Sequence, residues 1–230
     1  MSYWPGNSID RNAVLALYGG LVTYGSLNLT EASPPQSFAE PLTVDEVKSY
    51  LKIPERSPVD SDEDDLIAGL ISAARSTAEI HQGFDLVRKQ WDLSLDYWHS
   101  FRVHLRTPLV SVDLVQYTDS NGGNHTMSQG TDFIIDKAKI PAIITPPYNG
   151  DWPTFTPWPS SAILIRYTSG LNYDSPFWQG PGARVKAGMR MLISHWYNNR
   201  NVIEKGAADS QEYPYAITAC LEYGARVRVH

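Results

Sequence analysis

The chain of 230 residues is 42% hydrophobic and 19% charged, enough apolar material for one large domain or two small ones. Its formal net charge of −6 argues against a protein whose task is to bind nucleic acid, because phosphate binding needs a basic surface. A single cysteine, Cys220, excludes an internal disulfide and a cysteine-based zinc site. The sequence has no long apolar run and no signal-peptide pattern, so we expect a soluble protein, made in a reducing compartment, with no membrane partner.

Residues 1–39 differ from the rest of the chain, because glycine and proline interrupt every short apolar stretch. We interpret them as an N-terminal arm that cannot bury a core of its own. A disordered leader and an arm ordered by a partner fit this composition equally well. Tyr18 and Tyr24, which flank Leu21 and Val22, favour the partner.

A first short helix is predicted over residues 43–53. Thr43 stands at its N-cap and Glu46 at the capping-box position, while Val44, Val47 and Leu51 form its apolar face. Pro54 ends it.

The best-specified helix covers residues 61–83, and the remaining elements must bury its apolar face. That face consists of residues spaced three and four apart: Leu66, Ile67, Leu70, Ile71, Ala74 and Ala78. Ser61 is predicted to cap the helix with Asp64 as the capping-box carboxylate, and Gly83 to end it. Acidic residues fill the first turn, where the helix dipole favours negative charge: Asp62, Glu63, Asp64 and Asp65. A calcium loop is excluded, because the required Gly and Glu are replaced by Asp65 and Ile71.

An antiparallel β-region is predicted over residues 88–170, where the hydrophobic period changes from helix to strand. Alternation indicates strands over residues 91–97, 103–105, 110–117, 133–135, 142–144 and 162–167. Residues 119–124 are typical of a hairpin turn, since Asn and Gly accept positive φ. Between the last two strands lies a loop rich in proline and tryptophan. We expect the rings of Trp152 and Trp158 to order this loop rather than backbone pairing.

Two further helices are predicted over residues 184–200 and 214–223. The first has one apolar stripe: Val185, Gly188, Met189, Leu192, Ile193 and Trp196. The second places Ile217, Cys220 and Leu221 inward and ends at Gly224. The predicted fold is α+β, with a helical pair, an inserted antiparallel β-region and a C-terminal helical pair. The predicted domains are the arm, 1–39, and one domain over 40–230.

No residue pattern indicates catalysis. The six histidines lack metal-ligand spacing, and no nucleophile elbow, P-loop or dinucleotide fingerprint occurs. Asp92 and Asp96 form a pair of carboxylates on the solvent side of a strand, which strand alternation explains without catalysis. We therefore expect no enzyme activity, no metal and no cofactor.

The order of the motifs resembles the head-to-tail connector (adaptor) proteins of tailed phages. The resemblance runs from residue 41 to residue 224 through these segments: Leu42-Thr43-Val44-Asp45-Glu46-Val47-Lys48, Asp64-Asp65-Leu66-Ile67, Arg106-x-Pro108-Leu109, Tyr117-x-Asp119, Asp132-Phe133, Trp152-Pro153, Ile163-x-Ile165-x-Tyr167, Val185-Lys186, His195-Trp196-Tyr197-x-Asn199-Arg200 and Pro214-x-Ala216-Ile217. The arm precedes the usual family start, and Tyr223-Gly224-Ala225-Arg226 replaces the usual Pro-Tyr-Arg-like close.

The resemblance implies a structural virion protein at the head–tail junction, made in the host cytoplasm. It implies a ring, twelve-fold in the family, that contacts the portal protein and a tail-side neck or tail-completion protein while DNA passes through its channel. The acidic net charge fits passage without specific DNA binding, since electrostatic affinity would slow moving DNA.

Candidate contacts with a neighbouring subunit or the portal are chosen for charge or for aromatic surface. They are Asp62, Glu63, Asp64, Asp65, Tyr18, Tyr24, Trp152, Trp158, Arg226 and Arg228. Residues 40–83 carry ten acidic and four basic side chains, a balance of 4 − 10 = −6, whereas residues 184–230 carry 7 − 4 = +3. Such opposite charges favour head-to-tail contacts. The alternative function is a carbohydrate- or peptide-binding module that uses the tryptophan-rich loop, and an enzyme ranks third.

Overall fold

The computed structural model describes residues 27–31, 39–54, 61–98, 101–199 and 215–221. The chain divides into two compact units. The β unit contains residues 88–170 together with a strand from residues 27–31. The helical unit contains residues on either side of that β segment, 38–87 and 171–230. The predicted α+β fold, with a β-region inserted between two helical halves, is confirmed.

Within the described residues, the helical unit contains four α-helices and one short 3₁₀ turn. They are α1 (Val44–Leu51), α2 (Ser61–Gln82), the 3₁₀ turn Pro176–Gln179, α3 (Pro181–Asn198) and α4 (Tyr215–Leu221). Helix α3 begins three residues before the predicted start, because Pro181 occupies the first turn, where its missing N–H costs nothing.

The helices enclose one apolar core, and α2 contributes its predicted face except for Leu66, which is exposed because it lies off the buried side of the helix. The buried members from the three longer helices are Val47, Ile67, Ile71, Ala74, Ala78, Val185, Met189, Leu192 and Ile193. Trp196 packs against this core but stays partly exposed. Helix α4 approaches α3 at Gly188, where an added Cβ would lie 3.0 Å from the Cβ of Cys220. Glycine at this point therefore permits close packing of the two helices.

The helix ends are defined by local hydrogen bonds. Glu46 N donates to Thr43 Oγ1 at 3.1 Å, and Thr43 N donates to Glu46 Oε2 at 3.2 Å, which confirms the predicted capping box. Gly83 adopts a φ of 72° after α2, as predicted for its C-terminal glycine. Helix α2 is described from Ser61 onward, and the residues just before it lie outside the described residues, so the predicted cap at Ser61 stays a prediction.

The described part of the β unit forms two antiparallel sheets. The five-stranded sheet has the order β1-β2-β8-β4-β5, and the three-stranded sheet has the order β3-β7-β6. The strands are β1 (Leu27–Glu31), β2 (Lys89–Leu95), β3 (Val103–Leu105), β4 (Leu109–Thr118), β5 (Asn124–Thr126), β6 (Ile134–Asp136), β7 (Ala142–Thr145) and β8 (Ile163–Ser169).

One apolar core joins the two sheets. Strand β8 is central and alternates strictly between buried and half-buried residues, which places Ile163, Ile165 and Tyr167 in this core. Leu93 of β2 and Ile144 of β7 reach the same cluster from the two sheets. The opposite face of the five-stranded sheet, its polar face, carries Asp92, Arg166 and Thr168.

Strand β1 lies within the arm that the sequence analysis left without an element. Its five residues pair with β2 in register from Leu27 opposite Leu95 to Glu31 opposite Trp91. Strand β5 was likewise not predicted, because its three residues are polar and exposed. None of the helices in the described residues combines the length and the apolar character that crossing a membrane requires.

Candidate interaction surfaces

The four acidic residues in the first turn of α2 differ in their exposure to solvent. Asp62 and Asp65 are exposed, whereas Glu63 and Asp64 are half-buried. Lys48 of α1 forms an ion pair with Asp64. Asp64 therefore joins two helices of the same chain. Its predicted role in a capping box with Ser61 stays a prediction.

A buried charge network lies beneath the middle of α2. Arg75 Nη1 lies 3.1 Å from Glu79 Oε2, and Arg75 Nε lies 2.8 Å from Glu40 Oε2. The second oxygen of Glu79 accepts the backbone N–H of Leu86 at 3.0 Å. Burial acts to lower the pKa of Arg75, but the charges of Glu79 and Glu40 raise it. The network pairs its charges within the chain.

The polar face of the five-stranded sheet is held together by cross-strand contacts. Arg166 forms two hydrogen bonds of 2.8 Å with the two carboxylate oxygens of Asp92. Asp113 accepts hydrogen bonds from Ser111 at 2.7 Å and Thr168 at 2.9 Å. The Asp92 carboxylate thus serves an ion pair within the sheet, which agrees with its interpretation as a structural residue.

The turn between β4 and β5 is held by one carboxylate. Asp119 Oδ1 accepts the backbone N–H groups of Asn121 at 2.8 Å and Gly123 at 3.0 Å. Its other oxygen lies 2.8 Å from His125 Nε2. The hydrogen bond with His125, followed by those from the two backbone groups, lowers the pKa of Asp119. This is a stabilised hairpin turn, as residues 119–124 predict.

The tryptophan-rich loop is ordered both by its rings and by its backbone. Trp152 stacks on Trp98 with ring centroids 4.0 Å apart and planes 5° from parallel, and Phe155 packs on Tyr117 at 4.4 Å. The backbone N–H of Trp158 donates to the carbonyl of Thr118 at 3.1 Å. The expectation that rings replace backbone pairing is therefore only half correct.

The two candidate tryptophans differ in what they offer to a partner. One face of the Trp152 ring is covered by Trp98, and the residue is half-buried. Trp158 is 45% exposed at the end of the loop. Of the two, Trp158 presents the larger surface.

The four remaining candidate contacts predicted from the sequence lie outside the described residues: Tyr18, Tyr24, Arg226 and Arg228. Within the described part of the chain, no three His, Cys, Asp or Glu side chains come together in a group that could hold a metal ion. The sequence analysis also overlooked the solvent side of α2, whose lack of charge can be found by counting around the helix.

Solved structures from gene transfer agent particles share this fold. A chain from the virion of the native particle superposes with a TM-score of 0.62 at 17% identity, covering 88% of this chain and 97% of that chain. Chains from the neck of the empty particle, computed with C6 symmetry, and of the native particle, computed with C12 symmetry, each give 0.60 at 20% identity and the same coverage. The chain matches no protein-family model and no curated protein sequence. At these identities the likeness establishes the fold.

Proposed function

We propose that this chain is a structural neck protein of a phage-like particle, a head-to-tail connector that forms a ring below the portal. The observation that carries the proposal is the likeness of fold over 97% of the compared chains, which come from the virion and neck of gene transfer agent particles. The motif order along residues 41–224 supports the same role independently, because it depends on the sequence alone.

The ring is proposed to have twelve copies. One neck that contains a chain of this fold was computed with C12 symmetry, and another with C6 symmetry, which is a subgroup of it. A ring needs a heterologous contact, in which one face of a subunit meets a different face of the next. The opposite charge balances of residues 40–83 and 184–230 suit such a contact.

The portal on one side and a tail-side neck protein on the other are the proposed partners, at the head–tail junction of the virion. Asp62, Asp65 and Trp158 are the exposed candidates for these contacts within the described residues. Asp64 is a weaker candidate, since Lys48 already balances its charge.

DNA is proposed to pass through the ring without specific binding. The net charge of −6 opposes stable contact with phosphates, so the chain should not retard duplex DNA in a gel at physiological salt.

The alternative role, a binding module built on the tryptophan-rich loop, is not favoured, because stacking on Trp98 already occupies one face of Trp152.

The test is a deletion of the gene in the host that makes the particle. We expect DNA-filled heads and free tails that do not join, and the full-length gene supplied in trans should restore joined particles. Joined, infective or transducing particles without the gene would overturn the proposal. A strain that lacks the tail protein alone is the matched control, since it should give filled heads that still retain the connector.

A further inference from the structure

The solvent side of α2 lacks the charges that a surface helix normally carries there. Counting about 100° per residue, the residues Leu66, Gly69, Ala73, Ser76 and Ile80 lie within a narrow stripe opposite the buried face, and we name this stripe the outer face of α2. All five are exposed, Leu66 at 38% and Ile80 at 57%. At 1.5 Å per residue the stripe is roughly 21 Å long.

The charged residues of this segment are directed elsewhere. Between Leu66 and Ile80 only Arg75 and Glu79 are charged, and their side chains are 13% and 6% exposed within the network described above. A helix face that is uncharged over about four turns and ends in two exposed aliphatic residues is typical of a helix-packing surface rather than a solvated one.

Gly69 indicates most clearly that the outer face of α2 is a packing surface. Glycine inside a helix is less favourable than alanine by about 1 kcal/mol. An added Cβ at Gly69 would meet nothing within 4 Å, so packing inside the chain does not require glycine. A close approach by a helix from another molecule would require glycine at this position. Ala73, one turn further along α2, also has a small side chain and leaves room for such a helix.

Helix α3 carries a complementary surface. Ala183, Ala187 and Ser194 lie on its side opposite the core, and we name them the outer face of α3. This helix contains Arg184, Lys186 and Arg190 and no acidic residue. The outer face of α2, in contrast, begins beside exposed Asp62 and Asp65.

We infer that the outer face of α2 packs against the outer face of α3 of a second copy of this chain, and that this contact forms the joint of the ring. The inference rests on the proposed function. The occupant is a second copy because this chain itself supplies a small-residue counterpart, on a helix that carries three basic residues and no acidic one. A single helix face is smaller than the about 800 Å² per partner that stable complexes bury, so the joint requires a closed ring on the portal rather than an isolated dimer.

The first test measures ring formation on purified portal protein with the full chain. Gly69→Leu should reduce the amount of ring by about ten-fold or more, because a leucine side chain overpacks the joint. Its melting temperature should equal or exceed that of wild type, since leucine favours the helix. Ala68→Leu is the matched control, because residue 68 is exposed on the same helix but lies off the stripe.

Each outcome of this test separates the two proposals. Rings of Gly69→Leu in wild-type amount would overturn the inference and leave the proposed function intact. A wild-type chain that never assembles with portal would overturn the function and the inference with it. Loss of rings in both leucine variants would also contradict the inference, because the effect would not follow the stripe.

A second test identifies the partner face directly. Ala73→Cys and Ala187→Cys are combined in a Cys220→Ser background, so that only the designed thiols can join. Both positions lie near the middle of their faces, which makes the pair suitable for either orientation of the helices. Oxidation of assembled rings should give a covalent ladder longer than a dimer. Monomers alone from intact rings would contradict the α2–α3 pairing.

Discussion

The helical unit and the β unit differ in where their charged side chains lie. The helical unit buries Arg75 and Glu79 beneath α2 and leaves the outer side of that helix uncharged. The β unit instead keeps its charged pairs on the polar face of the five-stranded sheet, where Arg166 contacts Asp92 and Thr168 donates to Asp113. The β unit thus satisfies its own exposed polar groups. The helical unit leaves the outer face of α2 exposed and uncharged.

The largest effect should come from breaking the buried network of the helical unit. Glu79→Ala removes the acceptor of both Arg75 and the Leu86 N–H. We expect it to reduce the free energy of unfolding by about 3–5 kcal/mol, as for other buried pairs that lose one partner. Urea denaturation of the two proteins measures the difference. Ser76→Ala, at an exposed position of the same helix, is the control and should cost less than about 0.5 kcal/mol.

The corresponding change in the β unit should cost much less. Arg166→Ala breaks the contact with Asp92, but the arginine side chain is 40% exposed and water can replace it. We expect a loss of about 1 kcal/mol in the same denaturation experiment. A loss as large as that of Glu79→Ala would contradict the contrast between the two units.

A smaller, pH-dependent effect is expected in the three-stranded sheet. Burial, followed by the charges of Arg102 and Lys139, lowers the pKa of His104 from its ordinary value of 6.5. The unfolded chain therefore binds a proton that the folded chain resists, so stability should fall as the pH drops below about 6.5. The melting temperature should decrease from pH 7 to pH 5 by less in His104→Gln than in wild type. Equal decreases in both proteins would show that this histidine does not contribute.

The smallest effect concerns the rate at which rings assemble. Asp62→Lys with Asp65→Lys should slow assembly on the portal, because these exposed charges steer association while each pair contributes only about 0–1 kcal/mol. Raising the salt from about 0.05 to 0.5 M should slow the wild-type chain and affect the double variant less. Stopped-flow light scattering follows the rate. Assembly that is indifferent to both salt and charge reversal would assign the acidic turn to helix capping alone.

The sequence predicts much of this fold, because the helices and central strands are recognised from local periodicity. The buried face of α2 and the Thr43–Glu46 capping box both depend on residues a few positions apart. Strand β1 could not be predicted in this way, since it depends on pairing with β2 more than sixty residues away in the chain. The pair Lys48–Asp64 was overlooked for the same reason, because it joins two helices.

The candidate contacts were harder to predict than the fold. The acidic turn was visible as a run of charge, but the contact of Asp64 with another helix was not. The outer face of α2 can be predicted from the spacing of its residues along the helix alone. The sequence analysis assigned Leu66 to the buried face, yet it lies on the outer one, 38% exposed. The structure adds that Arg75 and Glu79, the only charged residues between Leu66 and Ile80, have largely buried side chains.

The central claim is a ring of this chain on the portal, and native mass spectrometry of the purified complex tests it most directly. We expect one complex with twelve copies of this chain bound to one portal ring, and Ala68→Leu should form the same complex. A chain that stayed monomeric beside an intact portal ring, at every salt concentration that allows assembly of the neck, would contradict the proposed ring.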